Sequence, residues 1–156
     1  MSGARLGAGA LALVGLGISI YLTVVHYAQG QVALLCATSG TINCEQVTTS
    51  PESSVGPIPV ALLGVVWFLL ALALVASPQS PFGWRGSAGW KDLRLAWSGI
   101  GLLVVFYLIY SELFVIGAIC LWCTAIHVLV IALFLLALND WVETVNDVGA
   151  ADTEPG

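Results

Sequence analysis

Apolar residues run almost unbroken from Leu6 to Val25 and again over about 58–76, 95–110 and 113–138, with polar, Gly- and Pro-rich text between. A helix rises 1.5 Å per residue, so about 20 such residues make roughly 30 Å, the hydrocarbon thickness of a bilayer. The pattern predicts an all-α membrane protein, a four-transmembrane-helix bundle over residues 1–138. An acidic cytoplasmic tail, 139–156, is expected to be disordered. A cleaved signal peptide has an apolar region of only about 7–15 residues. The first run is longer and His26-Tyr27-Ala28 is a poor cleavage site, so it reads as a retained helix. Gly15, Ser19 and Thr23 recur at i, i+4, i+8, a stripe of small residues that lets another helix approach closely.

Between the first two runs lie nearly thirty residues rich in turn formers: Ser39-Gly40-Thr41, Asn43, Ser50-Pro51, Gly56-Pro57. Loops this long in compact domains are usually functional or disordered, and this one holds Cys36 and Cys44. Pro57 and Pro59 mark the start of the second span, because proline suits the first helical turn. Ser77–Lys91 forms a second connection, rich in Pro, Gly, Ser and Trp, and Ser111-Glu112 links the last two spans.

Composition agrees: 59% of the 156 residues are hydrophobic, only 8% are charged, and the mean hydropathy is +0.99. Four Lys/Arg residues exclude the basic face that nucleic acid requires. All four (Arg5, Arg85, Lys91, Arg94) fall at the N-terminus or in and just beyond the second connection. The positive-inside rule then makes both termini cytoplasmic and puts the Cys36/Cys44 loop outside.

The candidate chemistry lies in Cys120-Leu121-Trp122-Cys123-Thr124-Ala125-Ile126-His127. On a helix Cys120, Cys123 and His127 would share one face, on the same side of the membrane as the cysteine loop. Three readings compete. One is a structural disulfide with two idle cysteines, in a non-enzymatic membrane scaffold. Another is a four-cysteine zinc site, which suits poorly because such sites join two short-spaced pairs. The third is a thiol–disulfide relay, in which Cys36/Cys44 carry electrons between a soluble partner and the CxxC. Electrons leaving a membrane CxxC need a lipid-soluble acceptor, for which a quinone is the natural candidate. His127, polar within a span, is a functional candidate, against a neutral histidine bonded to another helix. Ser50 and Asn43 read by default as turn or cap residues, and Glu112 as a solvated interfacial acid. Tyr107, Tyr110, Trp84, Trp90, Trp97 and Trp141 read first as interfacial anchors.

Four stretches resemble the vitamin K epoxide reductase family in its bacterial form. They are Leu16-Gly17-Ile18-Ser19-Ile20-Tyr21-Leu22-Thr23, Cys36…Cys44 followed by Val47 and Ser50, Pro57-Ile58-Pro59-Val60-Ala61-Leu62-Leu63-Gly64, and Cys120-Leu121-Trp122-Cys123-Thr124. The resemblance implies a four-helix bundle around a quinone pocket. It makes Cys36 and Cys44 the shuttle and the CxxC the active site, with Cys120 forming the mixed disulfide and Cys123 reducing the quinone. It also raises Ser50 and His127 as quinone-site residues; for Tyr107 and Tyr110, which share a face of the third span near its outer end, quinone contact is the second reading after anchoring. The cofactor implied is menaquinone or ubiquinone. Many bacterial relatives carry a fifth helix and a fused thioredoxin-like domain, so the expected partner here is a separate DsbA-type thioredoxin-fold protein. Bacterial members serve disulfide formation in the inner membrane, which makes vitamin K epoxide reduction the alternative activity.

Overall fold

The computed structural model describes residues 3–28, 34–36, 39–76 and 86–151, with side chains left aside at 86–88 and 147–151. Trp84, Arg85 and the acids Asp152 and Glu154 lie outside the described residues. The long helices are α1 (Gly3–Ala28), α3 (Val60–Ala76), α4 (Gly86–Tyr110) and α5 (Leu121–Ala151). Short elements fill the first loop: α2 (Cys44–Thr48), a 3-10 turn (Pro51–Ser53), and a hairpin of β1 (Ser54–Val55) with β2 (Ile58–Pro59). Its two-residue turn needs a left-handed residue, and Gly56 supplies it at φ 62°.

Among the described residues, three helical segments are long and apolar enough to cross a membrane: Gly3–Ala28, Gly89–Ile116 and Leu121–Asn146. The fourth, α3, is apolar but shorter at 17 residues, about 26 Å and at the low end for a span. Together they form a membrane helical bundle. Its outer surface is apolar all round, with Leu13, Leu103, Phe114 and Leu135 pointing outward, as a lipid-facing surface requires.

α1 packs on α3 and α5, and α4 packs on α5. The small-residue stripe on α1 is where α3 comes close. A Cβ on Gly15 would collide with the Phe68 ring, and one on Gly64 would lie 3.0 Å from Ser19 Oγ. Ala8, Ala12, Phe68, Val105, Val130 and Leu133 form the buried core around that contact.

Three boundaries differ from the sequence reading. α4 begins at Gly86, within the stretch read as the Ser77–Lys91 connection, rather than at about residue 95. The last span does not begin at Leu113. The chain leaves α4 through a π-helical turn (Ser111–Ile116) that ends at Gly117 in a left-handed conformation, φ 69°, and α5 starts only at Leu121. Glycine is the residue that adopts such an ending without steric cost. The tail expected to be disordered from Asn139 is helical as far as Ala151. Its first turns are tied to α4. Asp140 pairs with Arg94 at 3.0 Å and Lys91 at 3.3 Å, Trp141 Nε1 donates to Asp92 Oδ1 at 2.7 Å, and Lys91 donates to Thr144 Oγ1.

Candidate functional site

Cys36 and Cys44 are joined as a disulfide with Cα atoms 6.1 Å apart, while Cys120 and Cys123 are free thiols. With two of four sulfurs bonded to each other, a four-thiolate zinc site is not formed. Cys44 opens α2, whose N-terminus is capped by Asn43 Oδ1 accepting the Gln46 N–H at 3.1 Å. Asn43 is thus a cap residue, as its type suggests.

The loop is docked onto the segment that leads into the CxxC. Ile42 pairs with Ile119 in a parallel bridge: Ile119 N–H donates to Thr41 O at 2.9 Å, and Asn43 N–H to Ile119 O at 3.1 Å. Gln46 Nε2 donates to Ile116 O at 3.1 Å. The residue before Cys36 is held at both backbone groups. Leu35 N–H donates to Tyr21 Oη at 3.0 Å, and Leu35 O accepts Trp122 Nε1 at 2.8 Å. The Tyr21 and Trp122 rings lie 5.2 Å apart. In consequence Cys44 and Cys120, both 0% exposed, share one buried cluster with Val47 and Ala118; Cys36, Trp122 and Cys123 pack against it.

Cys120 is not inside the helix, as the one-face reading supposed, but at its N-cap. Its carbonyl accepts the Thr124 N–H at 2.9 Å, and its Sγ accepts the Cys123 N–H at 3.3 Å. A sulfur there faces unsatisfied N–H groups and the positive end of the helix dipole, which favour thiolate. Cys120 lies between the two spans, and its thiol is held below the ordinary cysteine range. The Cys123 thiol hydrogen bond is the largest cause; the N–H groups of Cys123 and Trp122 add to it, against burial.

Cys123 faces elsewhere as well. It lines a cavity of about 420 Å³ together with His127, Ser50, Tyr107 and Glu112, closed on other sides by Ser19, Trp67 and Phe68. The wall is mostly apolar with few polar groups, and the volume lies within the usual range for ligand pockets, about 300–1,000 Å³. Ser19 Oγ and Trp67 Nε1 are buried in it with no hydrogen-bond partner among the described residues. Such groups suit a ligand with carbonyl oxygens on an apolar body. His127 is buried at the wall, and Ser50 Oγ donates to Val47 O at 2.8 Å while facing the cavity.

Tyr110 is a correction. It does not line the cavity but stands 56% exposed, stacked on Phe114 at 5.2 Å. Three residues past Tyr107 on α4, it is rotated off the cavity side. Glu112 is the reverse case: only 6% of it is exposed, and its carboxyl lies against the Cys120 N–H and the Cys123 thiol. The rule that singles out His127 within a span applies equally to Glu112, one residue into the link. Ser19, Trp67 and Tyr21 carried no comparable sequence signal.

The family model described as "Vitamin K epoxide reductase family" matches residues 7–138. No curated protein matches the chain.

Proposed function

The chain belongs to the vitamin K epoxide reductase family and is a membrane redox enzyme, and from that premise we propose that it oxidises a separate DsbA-type thioredoxin-fold protein and passes the electrons to a membrane quinone. The partner's dithiol reduces the Cys36–Cys44 disulfide, the loop thiols reduce a Cys120–Cys123 disulfide, and the reduced CxxC gives two electrons and two protons to the quinone. The observation that carries this reading is the position of the CxxC. Cys120 is packed with Cys44 in the loop cluster, and Cys123 opens onto the cavity. His127, Ser50 and Tyr107, with Ser19 and Trp67, would hold the quinone, which supplies a two-electron, two-proton acceptor soluble in lipid. Cys120, at the helix N-terminus where the thiolate form is favoured, is the group that exchanges with a loop sulfur.

The reading places the protein in the inner membrane with the cysteine loop extracytoplasmic and both termini cytoplasmic. Lys91 and Arg94, at the start of α4, pair with Asp140 far along α5. These two positive charges therefore lie toward the end of the bundle opposite the disulfide.

The deciding experiment gives the purified protein in detergent a reduced DsbA-type partner and a quinone, and compares it with Cys123→Ala. Quinone reduction by the native protein alone supports the relay. No reduction by either, with thiols still open to alkylation, favours a scaffold with a structural disulfide. Turnover of vitamin K epoxide in place of disulfide formation favours the epoxide reductase activity.

A further inference from the structure

A carboxyl group inside a membrane span is costly to bury and normally finds a cation. Glu112 has none: the ion pairs among the described residues both involve Asp140, at the other end of the bundle. Its backbone is fixed instead. Glu112 sits in the π-helical turn, and its carbonyl accepts the N–H groups of Gly117 and, at 3.2 Å, Ala118. π-Helical turns recur at functional sites because they re-aim a side chain. This one directs the carboxyl to the Cys120 N–H and the Cys123 thiol, at the cavity wall. The other titratable groups on that cavity are His127 of α5, Tyr107 of α4, His26 of α1 and Glu52 of the 3-10 turn.

We propose that Glu112 is the proton station of the Cys123 thiol. Closing the Cys120–Cys123 disulfide forms one S–S bond, breaks two S–H bonds, and releases two electrons and two protons. On the quinone-reducing reading, on which this inference rests, the quinone takes both electrons and both protons. Glu112 accepts the proton leaving Cys123 Sγ and holds it at the cavity wall, on the path to that acceptor. The proton never has to enter hydrocarbon as a free charge. On the return half of the cycle, when a loop thiolate displaces Cys123 from the disulfide, the emptied carboxyl takes up the proton that the loop thiol released and delivers it to the departing sulfur.

The test is Glu112→Gln, close in size but unable to carry a proton at this site, beside Glu112→Asp. Two quantities are read: quinone reduction driven by dithiothreitol, and the alkylation rate of Cys123 resolved by mass spectrometry. Loss of a positioned acid–base group costs about 10²-fold or more, so Glu112→Gln should lower kcat about 100-fold with little change in KM for the quinone. Its Cys123 should be alkylated at least as fast as in the native protein, because a neighbouring negative charge opposes thiol ionisation. Glu112→Asp should recover part of kcat. Turnover of Glu112→Gln within threefold of the native rate overturns the proposal. So does slower turnover together with slower alkylation in both variants, the result of a merely structural carboxyl. A native protein that reduces no quinone sinks the quinone reading itself, whatever Glu112 does.

Discussion

The sulfur of Cys120 accepts the backbone N–H of Cys123 at 3.3 Å, so the first cysteine of the CxxC caps the helix that the second belongs to. This hydrogen bond, with that from the Cys123 thiol, favours ionised Cys120 in the folded protein. An ordinary cysteine titrates near about 8.5. Cys120 alkylation should therefore persist to a lower pH than that of a free thiol, and its midpoint should rise in Cys123→Ala. The linked stability has a definite sign. With the folded pKa below the unfolded one, the contribution is full above about pH 8.5 and is lost as pH falls through the folded value. Thermal unfolding of the reduced protein across that window should show a rise in stability with pH, smaller in Cys123→Ala.

The first loop is held against the CxxC by hydrogen bonds as well as by the buried cluster of Cys44, Val47, Ala118 and Cys120, and the arm before Cys36 is bonded to Tyr21. Tyr21→Phe removes the acceptor of the Leu35 N–H. A net loss of about 1 kcal/mol should speed hydrogen exchange at the Leu35 amide roughly fivefold. An unchanged rate would mean that Trp122 alone fixes the arm.

Gly15 is a steric requirement of the α1–α3 contact. Gly15→Ala places a methyl group in the Phe68 ring and should destabilise the protein by about 1–3 kcal/mol, read as a lower unfolding midpoint in detergent. Phe68→Leu in the same chain should recover part of the loss.

Asp140 neutralises two cations, of which Arg94 is only 9% exposed. Asp140→Asn should cost about 2 kcal/mol, the scale for a hydrogen bond to a charged group. Asp140→Asn combined with Arg94→Met should be less destabilised than Asp140→Asn alone, because the cost lies in the unpaired charge. Equal destabilisation would contradict this.

The helices and the cysteine loop were legible because a bilayer imposes a length on each span and forces the polar text between spans. Ser39-Gly40-Thr41 and Gly56-Pro57 announced turns that the chain makes, with Gly40 at φ 57° and Gly56 at φ 62°. The break at Gly117 was hidden because Leu113–Leu138 is apolar throughout, and a lone glycine in such text does not say that the helix stops. Cys120 was accordingly placed one turn too deep. The docking of the loop on Ile119 is a contact between distant residues, which periodicity cannot report. Glu112 was misread because two polar residues between spans resemble a solvated link, whereas the π-helical turn folds the second inward. The helix beyond Asn139 depends on cations from α4, invisible when the acidic text is read alone.

The break before α5 also divides the work of the two sulfurs. Cys120 belongs to the loop cluster and is absent from the cavity wall, whereas Cys123 reaches both. On the proposed route the soluble partner and the lipid-borne acceptor never need to be bound together, since the first turn of α5 stands between them like a bulkhead. An enzyme so partitioned is charged at one face and discharged at the other, and follows substituted-enzyme, or ping-pong, kinetics. Double-reciprocal plots against the partner should form parallel lines as quinone is varied, and a molecule wedged in the cavity should leave the CxxC in its reduced form, loaded with electrons it cannot discharge.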